Sequence, residues 1–115
     1  MKVAVQGTKQ FDDYNVFMRS MAVALSSMGD DKNIEIYSVG PRKVNNFLAG
    51  FVNLSEDGMK NRGMRIKSYM VAHSWLEQNI EDIDYFVYLS KPNERYSSLV
   101  RLAEEKDLEV GVFRY

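Results

Sequence analysis

Two hydrophobic periods take turns along this chain. Met1 to Val5 is apolar apart from Lys2, and Lys2 to Gln6 reads as a strand covered on both faces and ending at Gly7. Gly7-Thr8-Lys9-Gln10 then turns the chain, and Asp12 and Asp13 offer N-caps for a helix. Within that helix Phe17, Met21, Ala24, Leu25 and Met28 recur at helical spacing, and Gly29 closes it as a left-handed cap. A second strand runs from about Ile34 to Val39. After Gly40-Pro41-Arg42 the helical period returns with Val44, Phe47, Leu48, Phe51 and Val52, from near Lys43 to about Leu54 or beyond. Gly50 weakens this helix by about 1 kcal/mol relative to alanine.

Ser55-Glu56-Asp57-Gly58 and Asn61-Arg62-Gly63 are turn-like in composition. Arg65 to Val71 alternates as a third strand, and Ser74 to Gln78 reads as a short helix or turn. Asp84 to Leu89 is a fourth strand, rich in aromatic and β-branched residues. A loop, Ser90 to Glu94, leads to a helix marked by Tyr96, Leu99, Val100, Leu102 and Ala103, ending around Lys106-Asp107. Leu108 to Phe113 is the last strand. Strands and helices alternate throughout, which implies one α/β domain over 1–115: a parallel five-stranded sheet with helices on both faces.

Composition narrows the chemistry. The 115 residues contain no cysteine, which excludes disulfides, thiolate metal sites and a cysteine nucleophile. One histidine excludes a histidine-rich metal site, and no metal or cofactor is expected. A formal net charge of −1 argues against a dedicated binder of duplex nucleic acid. No apolar run approaches the roughly 20 residues of a membrane span, and Gln6 interrupts the first apolar run too early for a signal peptide. The expected compartment is the cytoplasm, a host's cytoplasm if the gene is viral.

In open parallel sheets ligands bind beyond the carboxyl ends of the strands. Three loops leave such ends here with a cation and a glycine, hydroxyl or amide each. They are Gly7-Thr8-Lys9-Gln10, then Gly40-Pro41-Arg42-Lys43 with Asn45 beyond it, then Ser90-Lys91-Pro92-Asn93-Glu94. A glycine turn that opens a helix presents backbone N–H groups and a partial positive charge to an anion. Arg42 adds a guanidinium suited to clamping phosphate. The competing explanation is that these are ordinary solvated turns, since no loop carries GxGxxG or GxxxxGK[ST]. His73, placed in a loop before Trp75, is a pH switch or a structural histidine; Trp75 is a packing residue or a stacking platform. Glu94 is the one acid inside a candidate ligand loop, and so a candidate general base or ribose contact.

The chain resembles the SLOG superfamily, Rossmann-like proteins that include the YspA-like group, DprA-type domains and the cytokinin-activating LOG enzymes. Gly7-Thr8-Lys9 followed by Phe11-Asp12-Asp13 is similar to the family's first Gly-Ser-Arg turn, with lysine for arginine. Val39-Gly40-Pro41-Arg42-Lys43-Val44-Asn45 is similar to its Gly-Gly-Ala-x-Gly-x-Asp turn, with Lys43 for a glycine and Asn45 for the acid. Ser74-Trp75 matches a common tryptophan, and Tyr85 to Phe113 matches the closing unit in layout. The divergent form also resembles a bacteriophage accessory protein.

The resemblance implies a Rossmann-like domain that binds a nucleotide or nucleotide-derived signal through Gly7, Thr8, Lys9, Gly40, Pro41, Arg42, Lys43, Asn45, Ser90, Lys91, Asn93 and Glu94. The Pro-Gly-Gly-x-Gly-Thr-x-x-Glu motif of the LOG enzymes is absent, and Ser90 to Glu94 has no glycine. That departure favours binding without turnover. Two alternatives stand beside it. One is a nucleoside or nucleotide hydrolase with Glu94 as its acid/base. The other is a protein–protein adaptor using exposed aromatics among Tyr14, Tyr69, Tyr96 and Tyr115. Self-association as a homodimer or larger homo-oligomer is compatible with each.

Overall fold

Five strands of six residues each lie parallel in one sheet. In the computed structural model, which describes residues 1–27 and 29–115, the elements are β1 (Lys2–Gly7), α1 (Tyr14–Ser26), β2 (Asn33–Ser38), α2 (Arg42–Asn61), β3 (Arg65–Met70), α3 (His73–Asn79), a 3-10 turn (Ile80–Asp82), β4 (Tyr85–Ser90), α4 (Ser98–Glu105) and β5 (Glu109–Arg114). Met28, expected on the apolar face of the first helix, lies outside the described residues. The strand order is β3-β2-β1-β4-β5. The chain therefore walks from the middle to one edge, returns past β1 and walks to the other edge. The direction reverses between β1 and β4, where Val3 pairs with Tyr85 and Gly7 with Leu89.

That reversal moves the helices across the sheet. Successive strand residues face opposite sides, so Val3, Val5, Ile34, Ile36, Val87 and Leu89 pack against α1 and α2 through Phe17, Met21 and Leu48. Ala4, Phe86 and Tyr88 face the other way, against Leu76, Leu99 and Val100 of α3 and α4. β4 is buried from end to end because both layers cover it. Each fully buried Leu, Phe or Met side chain contributes about 1.5–3 kcal/mol from this burial. The α/β architecture, the parallel sheet and the helices on both faces are those the periodicity implies.

Local signals place the helix ends. The Asp13 carboxylate accepts the Val16 N–H at 3.0 Å and caps α1. Two boundaries differ from the sequence reading. The turn-like Ser55-Glu56-Asp57-Gly58 is helical, because α2 runs unbroken for 20 residues. Its inward stripe continues from Val44, Leu48 and Phe51 through Val52, Ser55 and Met59, all buried or half-buried, while Leu54 is 75% exposed. Packing along that stripe overrides the weak local preference for a turn. The helix stops where Gly63 takes φ +72°; Gly63 N–H reaches Lys60 O at 2.9 Å and Met64 N–H reaches Met59 O at 2.8 Å. α4 begins at Ser98, not Tyr96, because the Ser97 hydroxyl accepts the Val100 N–H at 3.2 Å. Among the described residues no helix is long and apolar enough to cross a membrane.

Candidate functional site

Because all strands run the same way, the loops after β1, β2 and β4 meet along one edge of the sheet. Direct bonds join them. The Gly7 N–H donates to the Gly40 carbonyl at 2.9 Å, and the Thr8 N–H donates to the Leu89 carbonyl at 2.9 Å. The Thr8 hydroxyl donates to Glu94 Oε1 at 3.4 Å, and Lys91 Nζ donates to Gln10 Oε1 at 3.0 Å. Three turns far apart in the chain thus form a single rim beside the point where strand order reverses.

The glycines of the rim serve different ends. A Cβ on Gly7 would stand 2.7 Å from Val44 Cγ2 and 3.3 Å from both Phe11 Cβ and Pro41 Cδ. Gly7 is therefore required for the approach of β1 to the start of α2. Gly40 takes φ +97°, which favours glycine. Its N–H donates to Ser38 Oγ at 3.1 Å, and the Ser38 hydroxyl donates to Asn45 Oδ1 at 2.5 Å. Asn45 thus holds the turn together and spends its carbonyl oxygen on the frame.

Beyond that turn, Pro41 is the N-cap of α2 and offers no side-chain hydrogen bond. The N–H groups of Arg42, Lys43 and Val44 have no intrahelical acceptor, while that of Asn45 returns to Pro41 O at 3.1 Å. Lys9 and Arg42 are exposed and have no hydrogen-bond or ion-pair partner among the described residues. Lys43 Nζ lies 3.4 Å from Asp12 Oδ1, an exposed pair worth little.

The loop after β4 is more heavily occupied. Ser90 is buried, and its hydroxyl accepts from Arg114 at 2.8 Å, so it belongs to the frame. Arg114 also donates to the Lys91 carbonyl at 2.9 Å. Asn93 adopts φ +70°, the left-handed geometry that asparagine tolerates in turns. Glu94 Oε1 accepts the Lys91 N–H at 2.7 Å, which closes the loop on itself. Burial, with the Glu94 carboxylate adding to it, raises the pKa of Tyr88 beneath this loop; the Tyr88 hydroxyl donates to Arg95 O at 3.2 Å.

Tyr115, expected from the sequence among the exposed aromatics, is half-buried and belongs to the rim. Its ring packs edge-on against Phe11, with centroids 4.9 Å apart, and its hydroxyl hydrogen-bonds the Thr8 hydroxyl. Lys91 Nζ sits 5.9 Å from the same ring. Tyr115 thereby fills the crevice between the β1 and β4 loops. Its position after the last strand was the only sequence signal, since the bond to Thr8 spans 107 residues.

His73 opens α3 instead of lying in a loop, and Trp75 lies in the same helix, the helical one of the two readings of Ser74 to Gln78. Trp75 stacks on Tyr37 at 4.9 Å, and Tyr37 stacks in turn on Tyr69 at 5.1 Å. Two open clefts lie apart from the rim. One of about 260 Å³ lies between α2 and β3, by Glu56, Lys60 and Ile66, and one of about 350 Å³ lies between α3 and α4. Among the described residues no group of three or more His, Asp or Glu side chains is placed to hold a metal ion.

Fold and rim together define an α/β protein with a Rossmann-type strand order and a cationic carboxyl edge. No family model matches the chain, and no curated protein matches it. Among solved structures it is similar to a universal stress protein from Archaeoglobus fulgidus, at 10% identity and a TM-score of 0.45, over 99% of this chain and 94% of that one.

Proposed function

We propose that this protein binds a phosphate-bearing nucleotide or nucleotide-derived signal at the carboxyl rim and does not turn it over. The observation that carries the reading is the start of α2. The N–H groups of Arg42 and Lys43, two exposed residues, stand there without intrahelical acceptors beside their own cationic side chains and, across the Gly7–Gly40 contact, Lys9. A helix N-terminus favours an anion, and a guanidinium without a competing carboxylate adds a charge-assisted bond. Thr8, Lys91, Asn93 and Glu94 form the wall against which a ribose would rest. Membership of the SLOG superfamily, as a divergent binder, is part of the same proposal. Glu94 accepts hydrogen bonds from its own loop and from Thr8, a fixed structural duty that supports binding over hydrolysis.

Titration calorimetry against a nucleotide panel that includes ADP-ribose and cyclic dinucleotides tests the reading. At least one member should bind, and Arg42→Ala should weaken it about tenfold or more, the worth of one hydrogen bond to a charged group. Folded protein that gives no heat with the whole panel overturns it. A product released by wild-type protein and abolished in Glu94→Gln would replace binding by hydrolysis.

A further inference from the structure

On the sheet face opposite α1 and α2, the starts of α3 and α4 bring a hydroxyl, an imidazole and a carboxylate into line. Ser98 Oγ lies 3.3 Å from His73 Nε2, and His73 Nδ1 lies 2.6 Å from Glu77 Oε1. The two ring nitrogens face different partners, in the order that nucleophilic acyl transfer requires: nucleophile, base, orienting acid. We propose that Ser98, His73 and Glu77 form an esterase-type site for short, uncharged carboxylic esters. It is separate from the nucleotide reading of the rim and stands or falls without it.

The fold explains the juxtaposition. His73 and Glu77 are four residues apart on α3 and so share one helix face. α3 and α4 are drawn together by Leu76, Leu99 and Val100 in the common core beneath them. Two serines begin α4, and they divide the work. Ser97 is the cap, accepting from Val100 N–H and donating to Gln6 Oε1 at 2.6 Å. The Ser98 hydroxyl is free of that duty, and His73 is its hydrogen-bond partner among the described residues. A carboxylate on Nδ1 fixes the neutral ring as the tautomer whose Nε2 lone pair faces Ser98.

Two further features suit the chemistry. The N–H group of Ser98, in the first turn of α4, has no intrahelical acceptor and can receive a developing oxyanion, while Leu99 beside it is fully buried. The cleft of about 350 Å³ beside Ser98 is lined by Glu77, Arg101, Leu102 and Glu105. Leu102 offers an apolar wall for a short acyl chain, and the two glutamates disfavour an anionic one.

In the first step Ser98 Oγ bonds to the ester carbonyl carbon while its proton passes to His73 Nε2. The bond from that carbon to the alcohol oxygen then breaks, and the alcohol leaves with the proton from His73. In the second step water adds to the acyl-serine and gives a proton to His73. The carboxylic acid departs as Ser98 regains that proton. The sum is ester plus water to acid plus alcohol.

A fluorophosphonate probe, with mass spectrometry of the labelled peptides, tests the site on wild-type protein, and hydrolysis of p-nitrophenyl acetate follows turnover. The expected result is a single adduct on Ser98. Ser98→Ala should lose both label and hydrolysis, His73→Asn should slow labelling about 100-fold, and Glu77→Gln should slow it less, all with wild-type circular dichroism. Ser97→Ala should keep the adduct on Ser98. Folded wild-type protein with no adduct on Ser98, an adduct on other serines in its place, or His73→Asn labelling at the wild-type rate overturns the proposal.

Discussion

Gly7 and Gly40 face each other across the rim, with the N–H of the first bonded to the carbonyl of the second at 2.9 Å. The contact is close because Gly7 has no side chain to hold α2 away. Gly7→Ala would drive a methyl to within 2.7 Å of Val44 Cγ2, with Phe11 and Pro41 too near to yield. It should destabilise the protein by about 1–3 kcal/mol, measured as a lower urea midpoint with an unchanged m-value.

Ser97 caps α4 and ties it to β1 through Gln6. Ser97→Ala removes the acceptor for the Val100 N–H and the donor to Gln6 together. A loss of about 1 kcal/mol is expected. Hydrogen exchange should show it first as faster exchange in the first turn of α4.

Asp107 ends α4 in the left-handed region, at φ +58°, while its N–H reaches Glu104 O and the Leu108 N–H reaches Ala103 O. Glycine adopts that conformation without a Cβ penalty. Asp107→Gly should therefore raise the urea midpoint, by roughly 0.5–1 kcal/mol.

Three of the seven tyrosines should titrate late. Burial raises the pKa of Tyr37, Tyr85 and Tyr88, with the hydrogen bond to Glu35 adding to the effect at Tyr37 and the Glu109 charge at Tyr85. Unfolded tyrosine ionises near pH 10. The folded state holds these phenols neutral, so their contribution to stability is complete below about pH 10 and is lost as pH rises toward their folded values. Absorbance at 295 nm should show an early group followed by a late step that coincides with unfolding. Tyr88→Phe should shrink the late step.

The architecture was legible because its signal is periodic and redundant. Val3 and Val5 alternate with Ala4, and Val44, Leu48 and Phe51 repeat at helical spacing, so burial on two faces could be read from either pattern. The parallel arrangement then placed Thr8, Arg42 and Lys91 on one edge without further information. What filled that edge was not legible. Whether Asn45 faces a ligand or Ser38, and whether Tyr115 faces solvent or Thr8, depends on side-chain directions set by tertiary contact. The same holds for Ser98 and His73, which lie 25 residues apart and meet only because two helices share a core. The helical Ser55 to Gly58 shows the reverse case, where packing of Met59 outweighed a turn-like composition.

Backbone amide shifts test the proposed anion-binding nucleotide site at the rim. With ADP, ADP-ribose and a cyclic dinucleotide each titrated into ¹⁵N-labelled protein, at least one should move the amides of Gly7, Thr8, Gly40, Arg42 and Lys43 together, and Arg42→Ala should blunt that response. Spectra unchanged by all three, or shifts confined to β3 around Arg65 and Lys67, would contradict it.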